Sequence, residues 1–257
     1  MVRIIAFVNQ KGGVAKTTST INIGAGIAQA GKKVLLVDLD AQGHLTVSLG
    51  VNTYESDKTI YEALKGEIDA SSAIVNIDGR YDIIPADIRL SGLEMELSAT
   101  AGREFILKEL LEPISEKYDY ILLDCPPALG LLTLNGLTAA TELFVPIQAE
   151  YLALHGMKQL LQVVELVQKR LNPALSLNGV ITTFYDRRKI LNQELHNKIV
   201  DRFGEKSFNT MIRNNVALAE AQAFNMDVFA YKPTSNGAKD YEALVNEILL
   251  QEDKQHD

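Results

Sequence analysis

Two lysines bracket a glycine pair in the segment Asn9-Gln10-Lys11-Gly12-Gly13-Val14-Ala15-Lys16-Thr17-Thr18, which lies between an apolar β-branched run and a helical pattern. That context is what a phosphate-cradling loop requires. Gly12 and Gly13 let backbone N–H groups turn inward, Val14 and Ala15 extend the same backbone cradle, and the start of the following helix adds partial positive charge. Lys16 is placed to hold β- and γ-phosphates, and the Thr17 hydroxyl to ligate magnesium. The competing reading is a glycine-rich turn with a surface lysine. Strand, loop, Lys-Thr pair and helix all in register disfavour it.

Two further runs end in carboxylates. Val34-Leu35-Leu36-Val37-Asp38-Leu39-Asp40-Ala41-Gln42 is an apolar strand pattern whose alternation puts Asp38 and Asp40 on one side at its carboxyl end. Ile121-Leu122-Leu123-Asp124-Cys125-Pro126-Pro127 is another, with Asp124 where a carboxylate reaches a magnesium shell. An Asp closing a single strand is ordinarily a turn or cap residue. Together with the phosphate loop, the three carboxylates form a constellation for nucleotide chemistry.

The elements that position these groups follow from the hydrophobic pattern. Short apolar runs at Arg3 to Val8, Lys33 to Leu39, Tyr81 to Pro85, Tyr120 to Leu123, Leu143 to Ile147 and Gly179 to Thr183 read as buried strands. Helical patterns lie at Thr17 to Ala30, closed by Gly31, at Arg103 to Lys117, and at His155 to Leu171. In the last of these, Leu160, Leu161, Val164, Leu166 and Val167 fall at helical spacing before Asn172-Pro173. Alternating strand and helix predicts an α/β fold: a doubly wound, mostly parallel sheet with helices on both faces and ligands at the carboxyl ends of its strands. We expect one domain over residues 1–250 and a short polar, frayed tail over 251–257, with Ser48 to Ser98 the most irregular stretch.

Composition narrows the classes. Hydrophobic residues make up 47% of the sequence and can fill a substantial core. Cys125 is the single cysteine, which excludes an internal disulfide or a cysteine-ligated cluster within one chain and fits a cytoplasmic setting. Residues Met1 to Val8 form an apolar run too short for a signal peptide or a membrane span. The net charge of -8 argues against a uniformly basic nucleic-acid binder, yet Arg187 to Lys239 carries nine basic against five acidic residues.

On these motifs the sequence resembles the deviant Walker A ATPases, whose hallmark is an extra lysine opening the phosphate loop, here Lys11. The resemblance is greatest to the ParA/Soj partition family. It runs through Asp38 to Gln42, Asp124 to Pro127 with Leu129 to Asn135, Pro146 to Tyr151, and Ser235 to Ala238. It implies a P-loop NTPase that binds ATP and Mg2+, and an ATP-dependent homodimer in which Lys11 crosses to the partner's ATP. Asp40 would orient the attacking water, while Asp38 and Asp124 would bind magnesium's waters and sense the γ-phosphate. Thr18 would lie near the α-phosphate, and the segment holding Pro233 and Asn236 would help enclose the adenine. Asp186 reads equally as a base-facing residue or as a turn residue. Many relatives have Gly where this sequence has Ala15, and a methyl there strains the loop if its φ is positive.

The resemblance further implies slow, partner-stimulated hydrolysis, a ParB-type centromere-binding partner, and nonspecific DNA binding in the ATP state, hence nucleoid association. Arg187, Arg188, Lys189 and Arg213 are the candidate DNA contacts, although some relatives carry arginines where this sequence has Asn214 and Ala217. Two other readings remain: a related ATPase positioning a non-DNA cargo, and a MinD-like membrane-associated regulator. The stretch Tyr241 to Asp257 has five acidic residues and only Lys254 as a basic one, so an anionic membrane should repel it, and no membrane partner is expected.

Overall fold

The structure, a computed structural model, describes residues 2–54, 56–150 and 153–255. Its strands are β1 (Arg3–Phe7), β2 (Val34–Asp38), β3 (Val75–Ile77), β4 (Tyr81–Ile84), β5 (Tyr120–Asp124), β6 (Glu142–Gln148) and β7 (Ser176–Thr183). The helices are α1 (Lys16–Gln29), α2 (His44–Ser48), α3 (Ile60–Leu64), α4 (Leu90–Glu96), α5 (Ile106–Ser115), α6 (Leu131–Ala139), α7 (Ala153–Arg170), α8 (Ile190–Phe203), α9 (Val216–Ala223), α10 (Val228–Tyr231) and α11 (Asn236–Gln255). The strands form one sheet in the order β3-β4-β2-β5-β1-β6-β7, parallel except for the β3–β4 pair.

Each central strand is apolar on both sides because both sides are covered. Ile5 and Phe7 of β1, Leu36 of β2, Leu122 of β5 and Phe144 of β6 pack under α1 and α11. Ala6, Val37, Leu123 and Val145, their alternating neighbours, pack under α5, α6 and α7. A Cβ on Gly24 would run into the side chains of Leu36 and Leu122, so glycine there lets α1 lie directly on the sheet. The chain leaves β1 towards β2 on one side, and later crosses back from β5 to β6 on the other. This reversal of strand order places the β1–α1 loop at the open carboxyl edge of the sheet.

All six expected strands are present. β3 was not expected: it is a three-residue antiparallel edge joined to β4 through Asp78 and Gly79, both at positive φ. The stretch from Ser48 to Ser98 is therefore more regular than its composition suggests, holding α3, β3, β4 and α4. In α7, Leu160, Val164 and Val167 are buried whereas Leu166 is 56% exposed, so the apolar stripe is narrower than its spacing predicts. The helix expected from Arg103 starts only at Ile106.

The tail expected to fray from Gln251 is helical as far as Gln255, where α11 ends; 256 and 257 lie outside the described residues. Gln251 Nε2 donates to the Asn178 carbonyl on the edge strand β7 at 3.3 Å, and Lys32, ahead of β2, pairs with Glu252 at 3.0 Å. Beside them lies a buried ion pair, Arg3 Nε and Nη2 on Glu142 at 2.6 and 2.7 Å, with Arg3 Nη1 donating to the Ile248 carbonyl at 2.9 Å. Removing one partner strands the other's charge inside the protein. Glu142→Ala is expected to cost about 3–5 kcal/mol, read from urea unfolding midpoints.

Candidate nucleotide-binding site

The loop between β1 and α1 is pinned from both sides before it reaches the helix. Asn9 donates through Nδ2 to the Pro146 carbonyl at 2.7 Å, and its Oδ1 accepts from Lys11 N at 3.0 Å. Thr183 at the end of β7 donates to the Val14 carbonyl at 3.1 Å, with Val14 itself buried. Between these anchors Gly13 has φ +72°, and a Cβ on Gly12 or Gly13 would stand in open space above the loop. That space is a cavity of about 670 Å3, lined by Gly12, Gly13, Ala15, Lys16, Thr17 and Thr18 on the loop side. Asp40, Gln42, His44 and Ser48 form a second wall, Pro126 to Ala128 a third, and Phe184 with Gln222 a fourth.

Ala15 lies in the left-handed region, at φ 67° and ψ 33°, at the position capping α1. The expected strain is present. An L-residue with a Cβ is disfavoured there by about 1–2 kcal/mol. Ala15→Gly is expected to stabilise the fold by about 1 kcal/mol, and Gly13→Ala to destabilise it by a similar amount. Paired urea titrations would measure both.

Beneath the cavity lie the charges. In sheet register Asp38 pairs with Asp124, so two carboxylates end adjacent parallel strands. Asp124 Oδ2 accepts from Thr17 Oγ1 at 2.6 Å, and Asp38 Oδ2 accepts from Thr46 N and Oγ1 at 2.9 and 2.7 Å. Burial raises both carboxyl pKa values above the usual range, and repulsion from the neighbouring carboxylates raises them further. Lys16 is also buried, its Nζ on the Asn9 carbonyl at 3.2 Å, and burial lowers its pKa. Buried carboxylates of this kind, next to a threonine hydroxyl and an open cradle of backbone N–H groups, suit a magnesium-bound polyphosphate. Thr17 and Asp124 are the residues present to hold such a cation.

Asp40 lines the cavity, with its Oδ1 accepting from Gln42 N at 3.0 Å. Asp38 does not face it. That carboxylate is fully buried and taken up by Thr46 and by Asp40 N, so it braces the segment carrying Asp40. Lys11 points away from the cavity to its own chain's Glu150, at 2.5 Å, and to Gln148 Oε1 at 3.3 Å. Tyr151, in the same motif, lies outside the described residues.

Pro233 and Asn236 are not among the residues that line the cavity. Asn236 opens α11, in a turn fixed by Ser235 Oγ accepting from Ala238 N at 3.1 Å, and the cavity's fourth wall is formed by Phe184 and Gln222. Gln222 Nε2 donates to Thr18 Oγ1 at 3.1 Å. Phe184 directly follows β7, where a ligand wall is expected, but Gln222 sits on a helix with no local signal for a site. Asp186 is a turn residue here, its carboxylate accepting from Arg188 N at 3.0 Å.

The four candidate DNA residues separate into two kinds. Tyr185, two residues before Arg187, bridges Arg213 in parallel register. Arg187 and Lys189 are exposed, but Arg188 is paired with Asp186 at 2.9 Å, and Arg213 is bidentate on Asp240, with its shortest contact at 2.5 Å. Arg213 is thus held by a carboxylate of its own chain, with its side chain still partly exposed.

A family model for an AAA domain matches residues 2–177. The chromosome-partitioning ATPase Soj of Treponema pallidum is 46% identical over 253 residues, covering 98% of this chain and 99% of that protein. The chromosome partitioning protein ParA of Caulobacter vibrioides is 41% identical, covering 98% and 95%. The chain belongs to the ParA/Soj family of ATPases. The crystal structure of cobyrinic acid a,c-diamide synthase from Mycobacterium smegmatis with bound ATP analogue and magnesium matches with a TM-score of 0.88 at 38% identity, covering 97% of this chain and 94% of that one. As a ParA/Soj ATPase the chain uses ATP and Mg2+, and its fold is that of P-loop NTPases.

Proposed function

We propose that the chain is a partition ATPase: it dimerises around ATP, binds DNA without sequence preference in that state, and is released by hydrolysis that a ParB-type centromere-binding partner stimulates. The observation that carries this reading is the loop itself, where Lys16, Thr17 and the Asp40 wall surround one cavity while Lys11 stands outside it. Both relatives named above are partitioning proteins along almost their full length.

Lys16 holds the β- and γ-phosphates, and backbone N–H groups from Gly12 to Thr18 share the charge. Magnesium, when bound, offsets charge on the phosphate oxygens; Thr17 and Asp124 are the groups that receive it. Asp40 orients the attacking water from the second wall, braced by Asp38 through the turn. Phe184 and Gln222 bound the side away from that wall and are the candidates to contact the base. Lys11 leaves Glu150 to reach a partner's γ-phosphate, a contact that ADP has no group to replace.

Among the described residues no helix is long and apolar enough to cross a membrane. The polar α11 carries Glu247 and Glu252 in contacts to the chain itself, which favours the DNA reading over a membrane-attached regulator. Cytoplasmic placement on the nucleoid follows from DNA binding. Arg187 and Lys189 are the cations best placed for phosphate contacts.

Random-sequence duplex binding with Mg-ATP, with Mg-ADP and without nucleotide tests the DNA step. Binding with ATP alone, weakening steeply from about 50 to 200 mM salt, supports it. Binding that ignores nucleotide or salt contradicts it. Lys16→Ala is expected to lose nucleotide binding, whereas Asp40→Ala should keep it and lower turnover by about 100-fold. Equal turnover in Asp40→Ala and the unmodified protein would remove Asp40 from its role.

A further inference from the structure

The third wall of the cavity, Pro126 to Ala128, is held by a residue distant in sequence. After Asp124 the chain runs through these three residues into α6, whose capping position is Gly130. Glycine offers no side chain to accept from the free N–H groups of a first helical turn. Glu94 supplies the acceptor instead: its Oε1 takes the Leu131 N–H at 2.6 Å. A Cβ on Gly130 would collide with the Glu94 carboxylate, so the glycine leaves room for this contact. On the other flank Thr133 Oγ1 donates to the Ala128 carbonyl at 2.6 Å.

Glu94 stands on α4, which Leu90 and Leu93 root in the core. The segment entering α4 is tied to the second wall, because Ala86 N donates to Thr46 Oγ1 at 2.9 Å and that hydroxyl donates to Asp38. An unbroken path therefore links Asp38 and the Asp40 wall, through Thr46, Ala86 and α4, to Glu94 and the wall after Asp124.

We propose that Glu94 is a positioning residue for ATP hydrolysis: it caps α6, fixes the Pro126–Ala128 wall, and ties that wall to the segment bearing Asp40. The proposal rests on the reading of the cavity as the ATP site. A carboxylate is suited to this because its charge favours the N-terminus of a helix, and a glutamine retains the accepting oxygen but not the charge.

Three variants test it: Glu94→Ala, Glu94→Gln and Gly130→Ala, with turnover, KM and ADP affinity measured for each, and amide exchange followed at Leu131. Glu94→Ala is expected to lower kcat about fivefold or more while ADP affinity stays within about twofold, and Glu94→Gln to recover most of kcat. Gly130→Ala should reproduce the loss by displacing the carboxylate, and combining it with Glu94→Ala should add little, within about twofold of the worse single variant. Full additivity, or normal kcat in Glu94→Ala, overturns the proposal. If the unmodified protein shows no turnover, the reading of the cavity fails; faster exchange at Leu131 in Glu94→Ala still supports the capping role, and unchanged exchange removes it.

Discussion

Two buried carboxylates side by side, Asp38 and Asp124, are the constraint to which the site is built. Parallel register brings them together at the carboxyl ends of β2 and β5, and neither can be left without donors in so dry a place. Each solves this locally and structures its surroundings in doing so. Asp38 collects Thr46 and the Asp40 N–H and thereby shapes the turn into α2, while Asp124 collects Thr17 and orients the first turn of α1. Burial still raises both pKa values. The nearby cation, Lys16, is itself disfavoured by burial, so the added positive charge of a magnesium ion complements what the fold has assembled.

The phosphate loop carries a second constraint. Its cradle needs left-handed backbone at Gly13 and again at Ala15, and the alanine holds that conformation because Asn9, Val14 and α1 are all anchored to the sheet. Rigidity of this kind suits a site that distinguishes nucleotides by one phosphate. Lys11, by contrast, is half exposed and paired with Glu150, a contact that a surface environment makes weak and easily exchanged.

Six strands, the main helices, the loop and the three aspartates were legible because each is encoded by neighbouring residues: apolar runs, a glycine pair, a carboxylate closing a strand. β3 escaped because three residues with one buried side chain leave no periodicity, although Asp78-Gly79 is a hairpin signal. The opposite walls escaped for another reason. Gln222 and Glu94 act through contacts with Thr18 and Leu131, far along the chain, and no local pattern marks them, whereas Phe184 directly follows β7, where a ligand wall is expected. Pro233 and Asn236 were expected by resemblance and are not among the residues lining the cavity; Ser235 and Arg213 bond the start of α11 beside them. Arg213 and Arg188 were counted as basic residues, and a count along the sequence does not register that Asp240 and Asp186 pair with them.

In the proposed dimer one subunit's site is completed by Lys11 from the other. Sedimentation velocity of the unmodified protein and of Lys11→Ala, each with Mg-ATP and with Mg-ADP, tests it most directly. A doubled mass is expected for the unmodified protein with ATP, and a monomer in the other three samples. A dimer in ADP, or a Lys11→Ala dimer as stable as the unmodified one, would contradict it.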